Sequence, residues 1–171
     1  MLLLVRFVFT IFLSRFRRRI PPLGEAVLRF TALPQDCDLN FHLNAGRYLS
    51  FMDVARVELL ARMRALSKLL RKGWRPIMGG CVMRYRRSVM PFERFDVRSR
   101  VIGWDDKWFY LEHIIEKDGV FCAAGHIRML IRGREGNIPT SDVLALVSNE
   151  PIEQPPLPDF VANWRELEDA R

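Results

Sequence analysis

Hydrophobic positions fall into three regimes along the chain. In residues 1–13 they are nearly continuous, broken only by Arg6 and Thr10, and the run ends in Arg15-Phe16-Arg17-Arg18-Arg19. Wound as a helix, this segment puts Arg6, Thr10, Ser14 and Arg17 on one narrow stripe and leaves Phe7, Phe9, Phe12 and Phe16 among Leu and Val elsewhere. Pro21-Pro22-Leu23-Gly24 stops it. Residues 26–33 read as a strand, and 34–38 as the loop that ends it. Then comes the strongest period in the sequence: Tyr48, Met52, Ala55, Leu59, Met63, Leu66 and Leu70 recur every three or four residues. Arg47, Ser50, Glu58, Ala61, Arg64 and Lys68 lie mostly on the other side. The spacing predicts one long helix over 45–71, with Asn44 as its N-cap and Gly73 as its stop.

The third regime is extended. Segments 78–89, 93–104, 107–116 and 120–132 are strand-length or longer, and Asp118-Gly119 is a hairpin turn between two of them. Ser141-Asp142 can cap a short helix through Val147, and a proline-rich stretch leads to a small terminal helix over 160–168. A strand, one long helix and four antiparallel strands make an α+β arrangement in which the sheet wraps around a central helix. Residues 21–171 form one domain, preceded by the apolar and basic segment 1–20. A single helix cannot cover such a sheet, so a homodimer or dimer of dimers through a sheet edge is expected.

Composition narrows the partners. The formal charge is +7, but the 27 basic residues comprise 23 Arg and only four Lys, a skew that GC-rich coding also produces. Aromatic interleaving is thin, with Tyr85 alone inside the run Arg84–Arg87, so nucleic acid is set aside as a partner. Cys37, Cys81 and Cys122 are far apart and lack ligand-spaced histidines. They read as small buried hydrophobes in a reducing, cytoplasmic compartment, with no metal site. The N-terminal segment is no signal peptide, because its charges follow the apolar run. As a helix, residues 2–16 reach about 22 Å, short of a bilayer core. A peripheral membrane contact through residues 1–19, a helix docked on the domain or a partner, and a true span all remain open.

The segment 36–48, Asp-Cys-Asp-Leu-Asn-Phe-His-Leu-Asn-Ala-Gly-Arg-Tyr, packs five polar groups between a strand end and a helix start. Its plainest reading is a polar loop with Asx turns at Asp36 and Asp38, a cap at Asn44 and a satisfied His42. Its chemical reading is a carboxylate facing the unpaired N–H groups of a helix N-terminus, with Gly46 allowing close approach to the backbone. That is the minimal equipment for acyl transfer.

The pattern D-x-D-x-x-x-H-x-N-x-x-x-Y resembles hotdog acyl-CoA thioesterases of the 4-hydroxybenzoyl-CoA thioesterase type, whose catalytic Asp corresponds to Asp38. Asp38-Leu-Asn40-Phe-His42 also resembles the D-x-N-x-H segment of acyl-ACP thioesterases. Gly103-Trp-Asp-Asp-Lys-Trp-Phe-Tyr-Leu-Glu112, with Pro155-Pro-Leu-Pro158 and Trp164, is similar to the thioesterase-superfamily-member-six group, over about residues 25 to 165. The resemblance implies a hotdog fold and hydrolysis of acyl-CoA or acyl-ACP, with no metal or redox cofactor. It implies Asp38 as base or nucleophile, with Asn40 and His42 orienting water or substrate. Asn44, Gly46, Arg47 and Tyr48 become the substrate-binding and oxyanion residues. Phe41 and Ala45 stand where many of these enzymes have Gly and Asn, and Phe41 is expected to narrow the loop. A non-catalytic acyl- or lipid-binding module at a membrane surface is the reading from another class. The two differ in whether Asp38 faces a space that ends at the helix N-terminus. Glu58 is a minor candidate base on the helix, and His113 and His126 read as structural. The basic run Arg84, Arg86, Arg87, Arg94, Arg98 and Arg100 is either a grip for coenzyme A phosphates or a solvated strand face.

Overall fold

The computed structural model describes residues 2–148 and 150–169. Helix α1 (Leu2–Ser14) is followed by strand β1 (Ala26–Thr31), a short 3₁₀ turn (Pro34–Asp36), and helices α2 (Ala45–Arg62) and α3 (Ala65–Arg71). Strands β2 (Arg75–Tyr85), β3 (Arg94–Trp104), β4 (Phe109–Lys117), β5 (Val120–Arg132) and β6 (Asn137–Ile138) come next. Helices α4 (Thr140–Val147) and α5 (Asp159–Asp169) close the chain. The antiparallel sheet has the order β1-β3-β4-β5-β2, with β6 pairing with the end of β5. It curls around α2, which is the expected hotdog arrangement.

The strand alternation explains the curl. Phe95 and Val97 on β3, Ile115 on β4, and Ala123 and Ile127 on β5 are buried in one cluster with Phe51, Met52, Val54 and Ala55 of α2. Across the strands, Ser99, His113, Gly125 and Met83 stand side by side in register. The helix packs tightly on the sheet at Gly125, where a Cβ would lie 2.6 Å from Met52 Cε. On the opposite face, Val161 and Trp164 of α5 pack on Tyr110, with Ile102, Trp108 and Leu157 beside them.

One expectation about the helix needs correction. It is not continuous over 45–71, because Arg64 takes a left-handed backbone (φ 58°) and splits it into α2 and α3. The new direction buries Ala65 and Leu69 and leaves Leu70 60% exposed, and Lys68 Nζ donates to the Leu146 carbonyl of α4 at 2.7 Å. The side of α2 away from the apolar stripe is also covered at Glu58. Glu58 is wholly buried there and accepts from Arg17 Nη1 at 2.9 Å, because α1 lies across that side of α2. Helix α1 therefore packs against α2. The stripe Arg6, Thr10, Ser14 and Arg17 faces inward, with Thr10 and Ser14 buried. No helix among the described residues is long and apolar enough to cross a membrane. The three cysteines are free, and no metal-binding cluster occurs among the described residues.

Candidate active site

The loop between β1 and α2 is built around Asp36. This carboxylate is wholly buried, and it accepts from Arg6 Nη2 at 2.9 Å, from Arg47 Nε at 3.0 Å and from the Leu33 N–H at 3.2 Å. Its own carbonyl accepts the Asn44 N–H at 3.0 Å, closing the loop onto the start of α2. Burial pushes the Asp36 carboxyl up, but the hydrogen bonds from Arg6, Arg47 and Leu33 together outweigh that and hold it below the usual carboxylate range.

Two residues on, Asp38 is half-buried and forms the expected Asx turn, its Oδ1 accepting the Asn40 N–H at 2.9 Å. The Asp38 N–H donates to the His42 carbonyl at 2.9 Å, and the Phe41 N–H to the Asp38 carbonyl at 3.0 Å. Phe41 departs from expectation: its ring is 70% exposed and does not narrow the loop. What the residue supplies is a left-handed turn (φ 56°), the conformation glycine adopts most easily.

Asp38 and His42 open onto a cleft of about 280 Å³ that Ala45 and Tyr48 of α2 also line, with Tyr85, Arg86, Arg87 and Ser88 opposite. Asp38 thus lines a space that reaches the N-terminus of α2. Tyr85 Oη donates to the Ala45 carbonyl at 3.2 Å, and the Tyr85 and Tyr48 rings meet edge-on at 5.3 Å. Burial pushes the Tyr48 phenol up to about 12, so it stays protonated in neutral solution and can act only as a neutral partner.

The remaining predicted residues have other partners. Asn40 is exposed and serves Asp38 through its backbone N–H. Asn44 caps α2, its Oδ1 accepting the Gly46 N–H at 2.9 Å while its carbonyl accepts the Arg47 N–H at 2.9 Å. Both expected oxyanion donors are therefore already engaged by the cap, and the Arg47 side chain points to Asp36 instead of the cleft. The basic run divides. Arg86 and Arg87 line the cleft, Arg84 lies over Phe121, and Arg98 and Arg100 pair with Glu25 and Glu112. His113 is wholly buried, with Nδ1 2.7 Å from Ser99 Oγ, and burial aided by the Arg56 charge pushes it down to about 3. It is a neutral core residue. His126 contacts Glu112 and the Phe160 ring and lies on the other face of the sheet. Sequence reasoning missed the part played by Asp36. The available signal was the pairing of a second loop Asp with an Arg eleven residues on, which the helix start brings together.

Residues 32–165 match the model of the thioesterase-like superfamily. A Xenopus laevis protein named THEM6 is 34% identical over 161 residues, covering 90% of this chain and 76% of its own length. The crystal structure of a hypothetical protein from Thermus thermophilus superposes with a TM-score of 0.66 at 20% identity, covering 76% of this chain and all of its own. A mutant 4-hydroxybenzoyl CoA thioesterase in complex with 4-hydroxybenzoyl CoA superposes with a TM-score of 0.64 at 12% identity, covering 72% and 99%.

The Asp36 hub has a definite pH signature. Its lowered folded pKa contributes stability above the ordinary aspartate range, and that stability is lost as pH falls through the lowered value. Asp36→Asn is expected to cost about 3 kcal/mol at neutral pH, the lower end for breaking a buried ion pair, with the deficit shrinking below about pH 4. Urea unfolding of both proteins across that range checks it. A deficit that does not change with pH would show that the charge of Asp36 is not what holds the loop.

Proposed function

The chain belongs to the thioesterase-like superfamily and is a thioester hydrolase, and from that premise we propose that its substrates are acyl-CoA thioesters, with acyl-ACP as the alternative carrier. The observation that carries this is the single cleft shared by Asp38, His42 and the first turn of α2, with Arg86 and Arg87 at its rim. Guanidinium groups there suit the phosphates of coenzyme A. The ligand in the 4-hydroxybenzoyl CoA complex of the structural relative is consistent with that carrier.

In this reading the thioester carbonyl lies at the N-terminus of α2. Its oxygen displaces Asn44 Oδ1 from the Gly46 N–H and gains the positive end of the helix dipole. Asp38 either takes a proton from the attacking water or attacks the carbonyl carbon itself. His42 and the Asn40 turn orient the reacting groups. The C–S bond then breaks and the coenzyme A thiolate leaves and is protonated; where Asp38 has attacked, a water then hydrolyses the acyl–Asp38 anhydride, and by either route the acyl group departs as a carboxylate. No metal or redox group takes part in this scheme.

The assembly belongs to the same proposal. Strand β2 is a sheet edge with Ile77, Met78, Val82 and Tyr85 each more than 40% exposed, a row suited to pairing with a second copy. Tyr85 also lines the cleft, so that pairing would complete the site. A peripheral membrane contact through residues 1–19 is supported by the outward-facing apolar side of α1, and a cytoplasmic setting by the three free cysteines.

Asp38→Asn is expected to lower kcat on any accepted acyl-CoA by at least about 100-fold, the lower end for general-base catalysis. A panel of acyl-CoA chain lengths assayed on both proteins measures it, and unchanged turnover by the folded variant removes Asp38 from the reaction. Sedimentation velocity at micromolar concentration should give a dimer or dimer of dimers, and Val82→Lys should dissociate it. A monomeric parent protein would contradict the edge pairing.

A further inference from the structure

Helix α1 carries its amphipathic pattern inside out. Arg6 of the helix and Arg17, just past its end, reach the wholly buried carboxylates of Asp36 and Glu58, while Leu4, Val5, Val8, Phe9 and Phe12 of the helix and Phe16 beyond it are each more than half exposed. Those two ion pairs fix the roll of the helix, so its apolar side has no route into the protein core. An isolated run of this kind needs an occupant. Charge tells which one. Beside the apolar side, between the end of α1 and the α2–α3 junction, lies a cleft of about 430 Å³ that Arg15, Arg17, Arg19, Arg62 and Arg64 line. No carboxylate is among its lining residues. Arg62 is held there by its Nε on the Arg18 carbonyl at 2.9 Å, and Arg64 is carried on the left-handed turn that breaks the helix.

We propose that this cleft binds the headgroup phosphate of an anionic phospholipid while the exposed side of α1 rests among the acyl chains of the same leaflet. The proposal rests on the peripheral contact described above and names the site that makes it. Guanidinium groups from two separate segments converge on one space, which suits the several oxygens of a phosphate. The C-terminal dipole of α2 accounts for Arg62, but not for Arg15 and Arg19, which arrive from the other segment. A helix of 13 residues is about 20 Å long, which suits lying in the interface rather than crossing it. A second copy seated on the same face would bring Arg15, Arg19, Arg62 and Arg64 of each copy together, which like-charge repulsion opposes.

The test is vesicle co-sedimentation of the full chain, with phosphatidylcholine alone and with phosphatidylcholine containing phosphatidylglycerol. The wild type is expected to prefer the anionic vesicles and to release them as salt rises. Arg15→Gln/Arg19→Gln/Arg64→Gln should weaken that binding by at least about tenfold, since each basic residue near an anionic leaflet is worth several-fold. Phe12→Ser/Phe16→Ser should weaken it as well, and the arginine variant should keep its vesicle-free hydrolysis of soluble acyl-CoA. Equal binding by the arginine variant and the wild type would overturn the cleft and leave the peripheral contact standing. A wild type that binds neither vesicle would overturn both. Displacement by millimolar inorganic phosphate, beyond the effect of chloride at equal ionic strength, would assign the cleft to a soluble phosphate and overturn the lipid. Loss of acyl-CoA hydrolysis in the arginine variant would assign those arginines to the substrate and also overturn it.

Discussion

A carboxylate with no access to water must find its counter-charges inside the protein, and Asp36 finds them on two different elements. Arg6 comes from α1 and Arg47 from the first turn of α2, while the backbone of Asp36 itself carries the loop that holds Asp38. The cost of burying that charge is offset only while both arginines are in place. One residue therefore ties together the N-terminal helix, the central helix and the loop that carries Asp38.

That tie accounts for features that look unrelated. The polar stripe of α1 turns inward because Asp36 requires Arg6 and Glu58 requires Arg17 just past the helix, and the apolar residues of α1 turn outward as a result. The cap on α2 is set by the same loop, since the Asn44 N–H is held by the Asp36 carbonyl and the Asn44 side chain then reaches Gly46. The cleft beside Asp38 and the exposed apolar side of α1 are in this sense two ends of one clamp.

Much of the architecture was legible because burial leaves a period. Strand β5 was read with its bounds intact, since its long apolar run is closed by Asp118-Gly119 on one side and Gly133 on the other. The break at Arg64 left no such mark. No glycine or proline announces it, and the left-handed arginine is followed by an α3 that buries Ala65 and Leu69 and bonds to α4 through Lys68. The position of Asp38 beside the start of α2 followed from spacing alone. The partners of Asp36 and Glu58 did not, because Arg6 and Arg17 lie 30 and 41 residues away in sequence and their contacts exist only once α1 has docked. An ion pair across such a separation has no periodic signature. Glu58 consequently read as a residue leaning away from the core, when it is sealed beneath a second helix.

The central claim is that α1, through Arg6, holds the loop that carries Asp38. Native-state amide hydrogen exchange in wild type and Arg6→Ala reads this directly at Asn40, Phe41 and Asn44, whose N–H groups bond within the loop. The account predicts that these amides exchange at least about tenfold faster in the variant while the core amides of β4 and β5 keep their protection. Unchanged protection at all three loop positions would contradict it.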